Sequence, residues 1–500
     1  MKLFLHALFI FSSLNAQADF KRDTFFSDLT ELKNNFETVQ IQNNPGCAFE
    51  YGKILNLTSH FTAANLRAEG FDSLLWTDGR AVLNIFWNLK QALRKSWVAL
   101  HRNTSPDRGC VEIYRKALSG VRETEDYFSQ WLFEERRWGR QLLVKADSAS
   151  AENAPIDPRI LKSGDILMSK NNSFTSSAIS RLPDLDQEMS HISFVYVDPN
   201  TQDIYTIEAH IEIGSDVQPI SKYLADTGRV RVVLLRSTEN EALMARAAKW
   251  AFDKAMSYAR RGAHIPYDFA VDMSTEENWF CSEVIYAAVK AVSGGAETVP
   301  QYQSDLNPRN RDVLSRLGVT LRRSFLPGDM ETDPRFTQLL EWRNLPNIKV
   351  SRQYDVMLTS IYDWLNDFGY HLHTDFLAGG ATTLGYYLNR IPYIDRAFHR
   401  VLGTEYPLYM NRSVLETIIV LGLVTRAMDT YLQPLEDRVK GDTGFALTNE
   451  DLIHKLNHFR SADAVTYSRC LRNIATRSFC NNFDSVLPEG YESRFHSLLH

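Results

Sequence analysis

Five hundred residues carry 55 Lys and Arg against 61 Asp and Glu, a formal net charge of −6, with no long basic block to track a phosphate backbone, so nucleic acid is excluded as an expected partner. Hydrophobic content of 44% and charged content of 23% are those of globular protein and exclude a disordered or fibrous chain. The length exceeds what one hydrophobic core usually serves, so two or three domains are expected.

Residues 1–18 read as a cleavable secretory signal: Lys2, an apolar run over 3–14, then Ala16-Gln17-Ala18 as a small-x-small cleavage site. A mature chain starting near Asp19, in a periplasmic or secreted protein, is the expectation; a buried N-terminal helix is the alternative. No cysteine follows the cleavage site, so a bacterial lipid anchor has no attachment point there. Further on, no stretch reaches the about 20 apolar residues that a membrane helix needs. Residues 414–424 come nearest but contain Glu416, and are expected to form a buried helix.

Residues 19–145 form a helical region. Val82, Leu83, Phe86, Leu89, Leu93, Trp97 and Leu100 fall on one face, and the turn signals at 43–46 and 103–106 divide the pattern. This reads as a bundle of its own, without a catalytic constellation and with its charges on solvated faces. Residues 146–158 are small, polar and proline-bearing, which is linker composition.

Residues 159–345 are rich in strands. Gly164 to Met168 turns into a short buried strand, and 191–197 and 204–211 alternate around an enlarged hairpin loop. Strand pattern resumes over 230–235 and helical pattern over 239–259. Ser274-Thr275-Glu276-Glu277 resembles a capping box, introducing a helix with Val284, Ile285, Ala288, Val289 and Val292 that stops at Gly294-Gly295. From about 301 to 343 the chain is mixed and proline-marked. Residues 346–500 return to helical pattern over 355–368, 414–435 and 451–459.

Cys281 stands at the entry of that amphipathic helix, where the helix terminus and an imidazolium lower a thiol pKa from about 8.5. The hairpin supplies the imidazole. If Val197 pairs with Ile204, paired numbers sum to 401, so Ser193 lies opposite Glu208 and His191 opposite His210, all on one face. His191 and Glu208 are then diagonal neighbours about 7 to 8 Å apart along the backbone, within reach of a carboxylate-to-imidazole bond. His210 is an alternative base. Ile192, Phe194, Tyr196, Tyr205, Ile207 and Ala209 form the opposite, apolar face. Of the five cysteines, Cys470 and Cys480 are close in sequence, and Cys47 and Cys110 both sit beside turn signals. Pairing those four leaves Cys281 free; five reduced cysteines are the alternative.

Gly164-Asp165-Ile166-Leu167, Ser190 to Val195, Ile207-Glu208-Ala209, Tyr267-Asp268-Phe269 and Phe280-Cys281-Ser282-Glu283-Val284 together resemble the motif series of the YiiX/YebB-like permuted papain-like cysteine hydrolases of the NlpC-type superfamily, in which histidine and acid precede the cysteine. The resemblance implies an α+β fold, a small antiparallel sheet packed against the nucleophile helix, here flanked by N- and C-terminal helical regions. It implies Cys281 as nucleophile, His191 as base and Glu208 as the residue orienting the imidazole, acting on an amide or ester through an acyl-enzyme. Tyr267 and Asp268 match the family's Tyr-Asp element, with substrate binding or a structural role both open.

The expected function is an exported amidase- or peptidase-type cysteine hydrolase acting on cell-wall peptides or acylated lipids, with cell-envelope association an option. Acyl transfer by the same thiol, and a catalytically silent binding or scaffold protein, are the alternatives. No Gly-x-Ser-x-Gly elbow, phosphate-binding Gly-Lys-Ser/Thr loop or His-Glu-x-x-His pair occurs. His371-Leu372-His373-Thr374-Asp375 has only generic metal-ligand spacing. No cofactor and no metal is assigned, and the oligomeric state is left open.

Overall fold

The computed structural model describes residues 22–38, 44–58, 61–145, 148–275, 277–306, 311–373, 411–473 and 499. The expected signal and the side chains of Cys470 and Cys480 lie outside what is described.

Helices α1 (Arg22–Thr38), α2 (Asn44–Thr58), α3 (Ala63–Ala68), α4 (Phe71–Asn103) and α5 (Arg108–Arg136) open the described chain. The predicted stripe from Val82 to Leu100 is buried along α4. The chain then turns, and Asp107 caps α5 by accepting the Cys110 N–H at 2.8 Å. Cys110 is disulfide-bonded to Cys47 of α2, their Cα atoms 5.6 Å apart, and Cys281 is the free cysteine among the described residues.

This helical region does not close its core alone. Leu142, Val144, Val230, Leu345 and Ile348, from the sheet and the helix that follows it, join the same apolar cluster. Nor do all its charges face solvent, as the sequence pattern implied. Lys90 Nζ lies 2.5 Å from Glu125 and 2.8 Å from Glu341, Arg343 pairs with Glu125, and Arg122 meets Glu331 at 2.5 Å, in a buried interface. A buried ion is tolerable only beside its partner, and Lys90 and Glu341 are 251 positions apart, beyond any local pattern.

One sheet takes strands in the order β2 (Ser148–Glu152), β1 (Gln141–Lys145), β10 (Phe336–Asn344), β7 (Arg229–Ser237), β3 (Ile166–Asn171), β4 (His191–Val197), β5 (Ile204–His210) and β6 (Gly214–Pro219). Every pairing is antiparallel. Two short strands, β8 (Ser304–Asp305) and β9 (Arg323–Ser324), pair separately. The α+β class and the antiparallel sheet with helices on both sides in sequence match expectation. The sheet is larger than the small one foreseen, because β1, β2 and β10 extend it. The stretch read as a linker carries β2: pairing with β1, not local propensity, makes a strand of this small-residue segment.

Seven more helices of the described chain follow: α6 (Phe174–Ser180), α7 (Ile220–Leu224), α8 (Glu241–Ala259), α9 (Glu283–Ser293), α10 (Arg311–Leu317), α11 (Leu345–Asp367) and α12 (Arg412–Thr443); α13 (Asn449–Asn473) completes the order. Ile166, Ile192, Phe194, Ile207 and Val233 pack against α8 and α9 in one apolar cluster. Helices α11, α12 and α13 share a separate core around Ile361, Trp364, Val424, Met428 and Phe459. Residues 414–424 lie inside α12 with Val414, Leu415, Val420, Leu421 and Val424 buried, and among the described residues no helix is long and apolar enough to cross a membrane.

Ser274 to Glu277 does not act as a capping box. The Ser274 N–H donates to Asp272 Oδ1 at 2.9 Å, and α9 starts only at Glu283, behind Ser282. The cause lies upstream: Asp268 accepts the N–H groups of Ala270 and Asp272 at 2.8 and 2.7 Å, and so turns the chain before a helix can form.

Candidate active site

The hairpin register is the one its alternation implied, with Val197 opposite Ile204 and Phe194 opposite Ile207. Continuing two residues at a time, it brings His191, Glu208 and His210 to one face at the mouth of the β4–β5 pair. Glu208 is fully buried, and its two oxygens have different partners. Oε1 accepts from Thr206 Oγ1 and Gln218 Nε2, both at 2.7 Å. Oε2 lies 2.7 Å from His191 Nε2 and 3.5 Å from His210 Nε2.

Burial by itself disfavours the charged form of Glu208. The His191 hydrogen bond and the positive potential of His210, His191 and Arg229 outweigh it and hold the carboxyl well below the usual range. An ionised carboxylate only accepts, so Nε2 of His191 carries the imidazole proton and Nδ1 is the basic nitrogen. Among the described residues, Nδ1 of His191 has no hydrogen-bond partner, and the side chain is 21% exposed. His210 stacks on His191 with ring centroids 5.2 Å apart. Burial lowers the His210 pKa against the pull of Glu208.

Cys281 occupies the turn immediately before α9, with Ser282 as the helix N-cap. Ser282 Oγ lies 4.0 Å from its sulfur, and the backbone N–H groups of Ser282 and Ile192 favour the thiolate. Cys281 and Ile192 belong to one buried cluster, which sets the thiol near the start of β4, the strand that carries His191. The cysteine is buried, and burial pushes its pKa up to about 11; the Ser282 hydroxyl and the N–H groups of Ser282, Ile192 and Cys281 itself act the other way without prevailing.

Tyr267 approaches Cys281 as part of the same cavity lining; burial first, and then Cys281, raise its pKa. Gly214 makes this approach feasible. Its φ is +84°, and a Cβ there would collide with the Ile265 carbonyl, so the 265–267 segment could not close onto β6. The Ser215 N–H donates to the Ile265 carbonyl at 2.8 Å, and Trp279 pairs with Tyr267 just before the cysteine. Asp268, the other half of the dipeptide, holds its own loop through Ala270 and Asp272 and does not line the cavity beside Cys281.

That cavity is about 90 Å³ and almost entirely apolar. Cys281 and Tyr267 form one wall with Phe269 and Phe280, and α6 contributes Ala178 and Ile179. The far wall is α12, whose Val414, Thr417, Ile418 and Leu421 repeat at helical spacing. Thus the C-terminal helical region covers the thiol.

The sequence reading missed Thr206, Gln218 and the whole α12 wall. Thr206 was detectable, since period two places it on the Glu208 face. Gln218 was not, because β6 carries no alternating pattern, and α12 is brought here from over a hundred residues away. The ligand atoms of His191, Glu208 and His210 all lie within 4.8 Å of one another, a grouping that could hold a metal ion. The rings of His371 and His373 are 6.5 Å apart, and Asp375 lies outside the described residues.

Residues 160–340 match the family model described as permuted papain-like amidase enzyme, YaeF/YiiX, C92 family. No curated protein and no solved structure matches the chain. The matched segment contains every residue of the site except Tyr362 of α11 and the α12 residues, and it supports a papain-like amidase, hence a hydrolase, for this part of the chain.

Proposed function

We propose that this protein is an exported cysteine hydrolase that cleaves an amide- or ester-linked acyl group, with Cys281 as nucleophile, His191 as base and Glu208 holding the imidazole. The observation that carries the acyl specificity is the apolar cavity that meets the sulfur. Its lining offers few polar groups for a peptide backbone, whereas a hydrocarbon chain gains roughly 0.8 kcal/mol per buried methylene. The Cys47–Cys110 disulfide fits an oxidising compartment and supports export.

In this reading the Cys281 thiol gives its proton to His191 Nδ1 and the sulfur attacks the carbonyl carbon. The oxyanion is met by the Cys281 N–H at the helix entry. Collapse expels the amine or alcohol, which takes the proton from the imidazolium and leaves a thioester. Water then attacks the thioester, passing a proton through Nδ1 back to the thiol, and the fatty acid leaves. An amine or alcohol in place of water would make the same protein an acyltransferase.

The second reading is a silent binding protein, favoured by the buried thiol with its raised pKa. Labelling with an electrophilic lipid-tailed thiol probe separates the two. Labelling that vanishes in Cys281→Ala and falls in His191→Ala, with release of long-chain acyl groups in preference to cell-wall peptides, supports the hydrolase. Folded protein that resists the probe under all conditions favours the binding protein.

A further inference from the structure

We propose that His191, Glu208 and His210 form a binding site for a borderline divalent cation of the zinc class, and that the bound metal switches the thiol chemistry off. The switching rests on the hydrolase reading above; the site itself does not.

Three features of the structure build the site. The ligands sit on two paired strands, with Glu208 and His210 two residues apart on the same face of β5 and His191 across from them on β4, so the backbone spaces them before any metal arrives. Their donor atoms all lie within 4.8 Å of one another. Two imidazole nitrogens and one carboxylate oxygen are a set suited to zinc, which takes three such protein ligands and leaves a fourth position open.

Glu208 is held as a one-oxygen ligand. Thr206 and Gln218 occupy Oε1 at 2.7 Å each, leaving Oε2 turned toward both imidazoles. Hydrogen-bonded support of this kind orients a ligand and strengthens binding. The carboxylate is sealed from water, while the side chains of His191 and His210 are 21% and 29% exposed, so a cation has a way in past the rings.

The chemical consequence follows from the tautomer. Without metal, Nε2 of His191 donates to Glu208 and Nδ1 is free to accept the thiol proton. A metal on Nε2 displaces that proton, and a neutral imidazole then carries its hydrogen on Nδ1. The base is lost although no residue has moved far.

The test is calorimetric titration of the metal-stripped full chain with zinc chloride at pH 7.5, repeated with Cys281→Ala, His210→Asn and Glu208→Gln proteins. The expected result is one zinc bound per chain in the wild type and in Cys281→Ala, with affinity at least tenfold weaker in His210→Asn and Glu208→Gln. X-ray absorption of the zinc-loaded wild type should give two imidazoles and one carboxylate oxygen, a readout independent of whether the variants fold. Absence of binding up to 100-fold molar excess, affinity unchanged in His210→Asn, or a sulfur ligand in the absorption spectrum overturns the proposal. Because Cys281→Ala has no nucleophile, these outcomes are separate from failure of the hydrolase reading.

Discussion

The Nε2 atom of His191 stands 2.7 Å from Oε2 of Glu208, and it is this contact that fixes which ring nitrogen can serve as a base. Glu208→Gln replaces an obligate acceptor with an amide that can donate, which permits the wrong tautomer. Thiol-probe labelling and acyl release are expected to fall about 100-fold or more, with an unchanged melting temperature to within a few degrees. Full activity in a folded Glu208→Gln protein would remove the carboxylate from the mechanism.

The raised pKa of Cys281 makes a statement about the resting protein. Alkylation by a small neutral reagent should climb steadily with pH and reach half its maximum near 11, where an ordinary thiol does so at about 8.5. A half-maximum below 8 would mean that sulfur and imidazole already exist as an ion pair and that burial does not govern the thiol.

Helix α12, with Tyr362 of α11, is the part of the cavity wall that the matched segment does not supply, and Ile418 lines the cavity from α12. Ile418→Asp should weaken the docking of that helix and readmit water to the thiol. Labelling at pH 7 is then expected to accelerate about tenfold for each unit by which the pKa of Cys281 falls. Unchanged labelling, with the variant folded, would show that α12 does not restrict the site.

Glu283 opens α9 just after Cys281, and burial raises its pKa to about 9 despite the Phe280 N–H, with Asp268 and Asp272 adding to the rise. The folded state therefore holds a proton that the unfolded state releases near 4.3. Stability from this group is fully present below that unfolded value and is lost as pH rises toward 9, with a slope of order 1 kcal/mol per pH unit. Denaturant titrations of wild type and Glu283→Gln across pH 5 to 9 should diverge in this sense; parallel curves would place the carboxyl in its ionised form.

The hairpin was legible for a simple reason. Alternation over Ile192 to Tyr196 and over Tyr205 to Ala209 leaves one register that buries the apolar residues, and that register carries His191 to Glu208. The turn before α9 was misread because Ser274 to Glu277 has a capping pattern, while the competing acceptor, Asp268, acts from outside that window.

Lys90 illustrates the opposite case. Its neighbours in sequence make it one more cation on a helix, yet it is buried between Glu125 and Glu341. Lys90→Met leaves those carboxylates with one fewer cation and is expected to cost about 3 to 5 kcal/mol in denaturant unfolding. A loss below 1 kcal/mol would mean that Arg343, which pairs with both carboxylates, and Arg231, 3.0 Å from Glu341, suffice to hold them.

The sequence by itself determined what depends on neighbours a few residues apart: the apolar stripe of α4, the two faces of the hairpin, and the order of histidine, acid and cysteine along the chain. Only the tertiary structure decided that Gln218 steadies Glu208, that Tyr267 and Cys281 line one cavity, and that α12 roofs it. Local patterns record which side of an element meets the core. They do not record which distant element arrives there, because any apolar surface of suitable shape satisfies the same burial energy.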